Sequence, residues 1–428
     1  MKISIYPIAA LAAASLLLAG CTPTTASGPV QDPAAGITVW ADSVRVVTAQ
    51  NYADANPDAN VTAVAVDDSQ GALASRIALA TNAGDELPDV VFLGQPDSIA
   101  TLIANPVNFP LDVSADADFL DGFAEGTVAR CSLNGAAYCV PNDIGQTVLY
   151  YNQTLFESFG YEVPTTFDEW LALGEAVAVD HPGFSLGSIS GRYGLDGYYG
   201  SSGCQYNDAK SATDVVINLT SDACTRVNDV VGPLLANGTL STLDPFDPAF
   251  TQIVTEGRLL ATISPSWMGP YGIKPSSVEE GNWAVAPMPT WAGASTNYAG
   301  AVGGGIWVIS AQSRNIAAAV AFVQYATTDT EVQIGGPTYP ADVAGAEAWL
   351  ASTTADTWYA ADPAPALIDA AGKISPTLGF VRYQTQLIDS FNQTVIINGA
   401  ADISSAFADF ATRAVQAAEQ AGYTVLEQ

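Results

Sequence analysis

The sequence predicts an α/β protein with a parallel sheet and two lobes. Two observations carry this reading. In the first hundred residues, short apolar strands alternate with helical spacing: "ITVWA" (Ile37 to Ala41), "VTAVAV" (Val61 to Val66) and "PDVVFLG" (Pro88 to Gly94) read as strands, while Leu73, Ile77 and Ala80 recur on one helix face between the second and third. Strand, helix, strand in that order builds a parallel sheet with helices on its faces. The second observation is length, because about 390 of the 428 residues follow the amino-terminal segment, too many for one hydrophobic core.

Taken from its start, the chain carries one cation, Lys2, then an apolar run from Ile3 to Leu18, then Leu18-Ala19-Gly20-Cys21. This reads as a signal peptide over residues 1–20 with a small-residue cleavage site; the competing reading is a single membrane-spanning helix. Leu-Ala-Gly-Cys resembles the bacterial lipobox, which implies cleavage before Cys21 and lipidation of its sulfur. The following stretch, Thr22 to Gly36, holds three Pro and two Gly among small and polar residues. Residues 21–36 are therefore expected to be a lipidated cysteine and a flexible linker. No later apolar run approaches 18 residues, so the remainder is expected to be soluble.

Basic residues number 13 against 44 acidic ones, and loss of Lys2 with the signal leaves a net charge of −32. Such a surface repels phosphate backbones and anionic lipid, which excludes nucleic acid as a partner and leaves the lipid anchor as the membrane contact. Of five cysteines, Cys131, Cys139, Cys204 and Cys224 remain beside Cys21. An even remainder in an exported chain reads as two disulfides. Three pairings are possible; the local one joins 131 to 139 and 204 to 224, since an Asn-Gly hairpin with a three-residue loop in "CSLNGAAYC" sets the first two opposite each other. A metal site is the alternative, but CxxC spacing is lacking and His181 is the only histidine. No metal and no cofactor is expected.

Further along, Val148 to Tyr151 reads as a strand, and Thr166 to Glu169 as a capping box opening a helix that buries Phe167, Trp170 and Leu171. Gly183 to Gly203, rich in Gly, Ser and Tyr, reads as a loop with exposed aromatics. "GRLLATISPSWMGPYG" (Gly257 to Gly272) is a buried strand running into a turn that carries Trp267, and "YAGAVGGGIWVIS" (Tyr298 to Ser310) is a strand entered through three glycines. The chain closes with an Ala-rich helix from Ile403 to Ala421 whose apolar face holds Ile403, Phe407, Phe410 and Ala414.

"GAAYCVPNDIGQTVLYYNQTLFESFGYEVPTTFDEWLALGEAVA" (Gly135 to Ala178) resembles the central segment of the family 1 extracellular solute-binding proteins, the maltose-binding-protein-like sugar receptors of ABC importers. "LATNAGDELPDVVFLG", "AVAFVQYATTDTEVQ" and the strands already quoted agree with that family in their order. The resemblance implies a two-lobed periplasmic-binding-protein fold of type II, each lobe a mainly parallel sheet flanked by helices, with a ligand cleft between them. It implies that the chain leaves the first lobe near Asp143 to Tyr150, returns near Ala299 to Gly305 and crosses again around Pro337 to Pro340. The expected lobes are residues 37–145 with about 300–337, and 146–299 with about 338–428.

Sugars present flat apolar faces edged by hydroxyls, so their sites pair aromatic rings with carboxylates, amides and Arg. Ligands of parallel sheets lie beyond the strands' carboxyl ends, which directs attention to Trp40, Asp42, Gln95 and Asp97. For Trp40 the site and core readings are both open; Trp307 and Trp170 read as core. The resemblance adds Trp267 as a stacking ring, Asn142 and Asp143 where the chain enters the crossing, and Arg382 with Tyr383 in "TLGFVRYQ". Tyr193 and Arg192 in "SGRYGLDGYYG" are further candidates, and glycines 303 to 305, centred on Gly304, would let backbone amides approach a ligand. The resulting expectation is a monomeric, lipid-anchored binding subunit on the outer face of the cytoplasmic membrane, taking an oligosaccharide to permease subunits. Alternatives are a peptide or polyamine ligand, a surface adhesion lipoprotein, and a glycoside hydrolase, which needs two flanking carboxylates. Neither a Walker loop nor HExxH occurs.

Overall fold

The computed structural model describes residues 29–426 except 68–71, 105–108, 134, 278 and 376–380. The expected signal peptide, Cys21 and the start of the linker lie outside the described residues. The last part of the linker is fastened rather than loose. Asp32 donates its N–H to Arg314 O at 2.7 Å and pairs with the Arg314 guanidinium at 3.2 Å, while Asn315 Nδ2 donates to Pro33 O and Ala35 O. Backbone groups that a Pro-rich segment cannot pair internally are satisfied here by side chains of a neighbouring turn.

Thirteen strands occur among the described residues. They are β1 (Ile37–Ala41), β2 (Val61–Ala65), β3 (Val90–Leu93), β4 (Ser132–Leu133), β5 (Ala136–Ala137), β6 (Val140–Pro141), β7 (Thr147–Asn152), β8 (Gln205–Ala209), β9 (Asp214–Asn218), β10 (Ala261–Pro265), β11 (Trp283–Ala286), β12 (Ile306–Ile309) and β13 (Thr424–Leu426). The first sheet has the order β2-β1-β3-β12-β6. β2, β1 and β3 are parallel, with Ile37 opposite Val61 and Val39 opposite Val90, and β12 runs antiparallel to both its neighbours. β3 reads as an unbroken apolar run because both its faces are covered. Val90 and Phe92 enter one core with Val46 and Phe322, and Val91 and Leu93 enter another with Leu73, Ile77 and Leu102.

The second lobe departs from a mainly parallel sheet. Its central strand β7 lies between β10 and β11, antiparallel to both, with Leu149 opposite Ile263 and Tyr150 opposite Val285. Apolar patterning marks a buried strand in either direction, so direction was not legible in "LLATISP". A small sheet, β13-β9-β8, completes this lobe.

Around β7, the helix Phe167–Asp180 opens with the expected capping box, Glu169 N–H on Thr166 Oγ1 at 3.1 Å and Thr166 N–H on Glu169 Oε2 at 3.2 Å. It buries Phe167, Trp170 and Leu173, with Leu171 half-buried. The closing helix, Ile397–Gln420, breaks its backbone at Asp402, whose carboxylate accepts the Ser405 N–H at 3.0 Å. Ile403, the expected start of the helix, is the first residue after this break. The segment expected as an exposed aromatic loop is buried: Tyr193–Tyr199 forms a π-helical turn, and Tyr199 stacks on Phe407 with centroids 4.9 Å apart. Glycine and serine there permit close packing instead of exposure.

Both disulfides have the local pairing, Cys131 with Cys139 and Cys204 with Cys224. The first hairpin is tighter than expected. Leu133 pairs with Ala136, leaving two residues between the strands, of which Asn134 is outside the described residues, and Cys131 O accepts the Tyr138 N–H.

Three stretches run side by side between the lobes. Asp143 bridges to Pro340 and Gln146 to Ala301, and Asn142 N–H donates to Gly305 O at 2.8 Å. Beyond Pro340 the chain turns back toward the first lobe: Ala124 N–H donates to Ala341 O, and the helix Val343–Thr354 packs on the helices Thr330–Gly335 and Ile316–Thr328. Around residue 359 it meets the second lobe, where Tyr359 bridges to Trp283 at the start of β11.

Candidate functional site

The inner wall of the interlobe space is built from the crossing strands, and glycine makes their close approach possible. Gly145 has φ +67°, and a Cβ there would stand 2.5 Å from Val302 O; Gly304 has φ +97°, and its Cβ would stand 2.8 Å from Ile144 O. These are left-handed positions against backbone, open to glycine alone without strain. Asp143 holds the same strands from the side. Its carboxylate accepts from Asn142 Nδ2 at 2.9 Å and Gly305 N–H at 3.2 Å, and lies 3.6 Å from the Arg45 guanidinium. Burial raises its pKa, opposed by Arg45 and these hydrogen bonds.

Next to this wall a charged group joins the lobes. Arg192 lies 3.0 Å from Asp97, beyond the end of β3, and 3.2 Å from Asp196, one turn along its own helix. Tyr206 donates its hydroxyl to Asp196 Oδ1 at 2.5 Å, and Gln384 Nε2 lies 3.3 Å from the same oxygen. Burial alone would lower the Arg192 pKa, but Asp97 and Asp196 hold it above its ordinary value; burial raises the Asp196 carboxyl despite Arg192. The gap here, lined by Asp97, Arg130, Arg192, Asp196, Asn207 and Gly303, is only about 20 Å³. The Oδ1 of Asn207 in this lining and the Oε1 of Gln95 are buried acceptors without a donor among the described residues.

An aromatic group stands on one side of the crossing strands. Trp267 Nε1 donates to Val302 O at 2.9 Å, which fixes the indole against the wall beside Gly303. Tyr193, Phe246 and Tyr271 surround it at centroid distances of 6.5, 6.1 and 6.4 Å, with Phe246 nearly coplanar at 12°. Phe246 and Tyr271 are each 49% exposed, so the group offers ring surface to solvent.

Past the charged group, the space widens into a cavity of about 510 Å³ between the helices Ile99–Ile103 and Glu125–Arg130 of the first lobe and the β8–β9 turn, Arg382 and Tyr423 of the second. Arg130 lines both this cavity and the narrow gap.

The sequence candidates divide accordingly. Asp97, Tyr193, Trp267 and Gly303 to Gly305 meet at the crossing strands, and Arg382 lines the large cavity. Trp40 is taken up by packing, with the Arg76 guanidinium 4.9 Å over its ring on the helix-covered face of the first sheet. Asp42 caps the helix Arg45–Ala55 through the Val44 and Arg45 N–H groups and pairs with Arg45. Asn142 and Asp143 bond one another and the crossing strands, and Asn142 also accepts from Trp307 Nε1. Tyr383 is 1% exposed and packs edge-on against Tyr423 in the second core. For the first four, local partners take up the polar groups or the ring; the Tyr383 ring is packed, but its hydroxyl is buried without a hydrogen-bond partner among the described residues. Trp170 and Trp307 are core residues, as read. Arg130, Asp196, Asn207, Phe246 and Gln384 were not singled out by sequence reading; scarcity of cations could have flagged Arg130, whereas nothing local marks the others.

Residues 39–333 match the family model described as bacterial extracellular solute-binding protein. The alpha-glucosides-binding periplasmic protein AglE of Rhizobium meliloti (strain 1021) is 37% identical over 113 residues, and this match spans 24% of either chain. The lactose-binding protein of Rhizobium radiobacter is 25% identical over 315 residues, 70% of each chain. Among solved structures, the galacto-N-biose-/lacto-N-biose I-binding protein of an ABC transporter from Bifidobacterium longum, in complex with lacto-N-biose, superposes with a TM-score of 0.77 at 21% identity, covering 92% of this chain and 100% of that one. At that identity the likeness shows a shared fold.

Proposed function

The chain belongs to the family of bacterial extracellular solute-binding proteins, and from that membership we propose that it captures an oligosaccharide between its lobes for delivery to a membrane permease. The observation that carries the carbohydrate reading is the pairing of a wall-fixed indole, Trp267, and its flanking rings with an unpaired buried acceptor, Asn207 Oδ1, in the gap lined by Gly303. Apolar sugar faces pack on rings, and sugar hydroxyls donate to orphan acceptors that otherwise cost free energy. The relatives named for alpha-glucosides and lactose support the same class.

In this reading Trp267, Tyr193 and Phe246 form the platform, and Asp97, Arg192, Asp196 and Asn207 supply polar contacts. The 20 Å³ gap at the ion pairs is too small for a sugar ring, so entry requires Asp97 and Arg192 to separate as the lobes open. Ligand energy then goes into a shift between open and closed populations rather than into bond-making, and no cofactor enters. The lobes divide at the three crossing stretches, with residues 341–354 assigned to the first lobe because of their packing there. Cys21 holds the protein on the outer face of the membrane through its lipid, and the linker that follows it gives it reach to the permease.

A thermal-shift screen of a protein starting at Thr22, against mono- and oligosaccharides, amino acids, peptides and polyamines, tests this. A native-state ligand raises the melting temperature by mass action. Shifts with a related set of oligosaccharides that vanish in Trp267→Ala are expected. A shift with peptides or polyamines and none with sugars refutes the carbohydrate assignment.

A further inference from the structure

The large interlobe cavity has a lining out of keeping with the rest of the chain. Its described lining residues include three of the 13 basic residues, Arg130, Lys210 and Arg382, and none of the 44 acidic ones. The field of the whole protein, net −31, repels anions. A locally positive cavity therefore has to be built by placement.

Not all three cations are unbalanced. The Arg130 guanidinium is buried near Asp97, Asp143 and Asp196, and Lys210 Nζ lies 2.6 Å from Asp208. Arg382 differs: among the described residues it has no carboxylate within ion-pair distance, and its side chain makes one hydrogen bond, from Nη2 to Ala421 O at 2.8 Å. Its guanidinium also lies 4.9 Å over the Tyr423 ring. The carbonyl end of the helix Ile397–Gln420 and an aromatic face thus hold a cation in place without neutralising it.

We propose that this cavity is an anion subsite, in which Arg382 receives an acidic substituent, carboxylate or sulfate, carried by the oligosaccharide that the cleft binds. The proposal rests on the sugar-binding reading above. A planar guanidinium with donors left over matches a two-oxygen acceptor, and at about 510 Å³ the cavity admits a substituted sugar ring. Arg130, on the wall shared with the narrow gap, connects the subsite to the charged group and the crossing strands.

The test is calorimetric titration of the protein starting at Thr22 with lactose, sialyllactose and sulfated lactose, at low and at 0.5 M salt. The acidic sugars are expected to bind about tenfold more tightly than lactose at low salt, since a charge-assisted hydrogen bond is of that order. Salt should narrow the gap, and Arg382→Gln should abolish it. Preference for sialyllactose alone assigns the substituent as a carboxylate; preference for both admits sulfate. A purely capping Arg382 would leave the ratio of acidic to neutral affinities near one in every protein tested. If lactose binds as well as its acidic forms and salt has no effect on wild type, the anion subsite is refuted while the sugar reading stands. If no sugar binds, while a peptide or polyamine does, both fall together. The salt series on wild type decides the matter even if Arg382→Gln does not fold.

Discussion

Arg192→Met removes the cation that pairs with two mostly buried carboxylates and leaves only the Arg130 guanidinium near them. The side chains of Arg192, Asp97 and Asp196 are 17%, 13% and 7% exposed, and the ion pairs are 3.0 and 3.2 Å long. Breaking a buried pair from one side costs about 3–5 kcal/mol, because the remaining charge keeps its desolvation penalty without its partner. Partial exposure puts the expectation at the lower end, about 3 kcal/mol. The loss should depend on pH. Burial already raises the Asp196 carboxyl above its unfolded value, with Arg192 acting against that rise. Without Arg192 the folded pKa climbs further. A raised carboxyl favours the fold below its unfolded pKa and withdraws that support as pH rises through its folded pKa. Urea unfolding followed by tryptophan emission should therefore show a larger deficit for Arg192→Met at pH 8 than at pH 5, and adding Asp97→Asn should recover part of it. A deficit under 1 kcal/mol, or one identical at both pH values, would refute the argument that these carboxylates depend on Arg192.

Other perturbations read out other parts of the account. Replacing Cys204 and Cys224 together by Ala opens a bridge of sequence separation 20, so chain entropy predicts a loss of about 3 kcal/mol, measured by urea unfolding of oxidised wild type against the variant. Gly145→Ala places a Cβ against Val302 O at a positive φ; a loss of roughly 2 kcal/mol or more and altered ligand affinity are expected, by unfolding and calorimetry. Thr166→Ala should cost about 1 kcal/mol, and Thr166→Ser should restore most of it in thermal melts.

Elements of both lobes whose signals are local were legible. The apolar runs of β1, β2 and β3, the helix face through Leu73 and Ile77, the capping box at Thr166 and the near-sequence disulfides each depend on residues close in the chain. Strand direction in the second lobe was not, since buried parallel and antiparallel strands share one pattern. Within the proposed site, sequence reading reaches residues conspicuous by type, such as Trp267, and not those brought there by the fold, such as Asn207 and Phe246. At Asp143 an Asp at a crossing reads as a ligand contact, and the structure adds partners that are far away in sequence, Gly305 and Arg45. Arg192 meets Asp97 across 95 positions, a pairing that no spacing rule announces. Tyr198 and Tyr199 were read as exposed from their Gly-rich setting, and tertiary packing overrode that composition.

The central claim, a sugar held between two lobes, is tested most directly by hydrogen exchange of the full protein with and without a bound oligosaccharide found in the thermal screen. The account predicts slower exchange on both walls at once, in segments 94–97 and 300–305 of the first lobe and crossing strands and in 192–196 and 267–271 of the second. Protection confined to one lobe, or lying away from Trp267 and the Asp97–Arg192 contact, would contradict it.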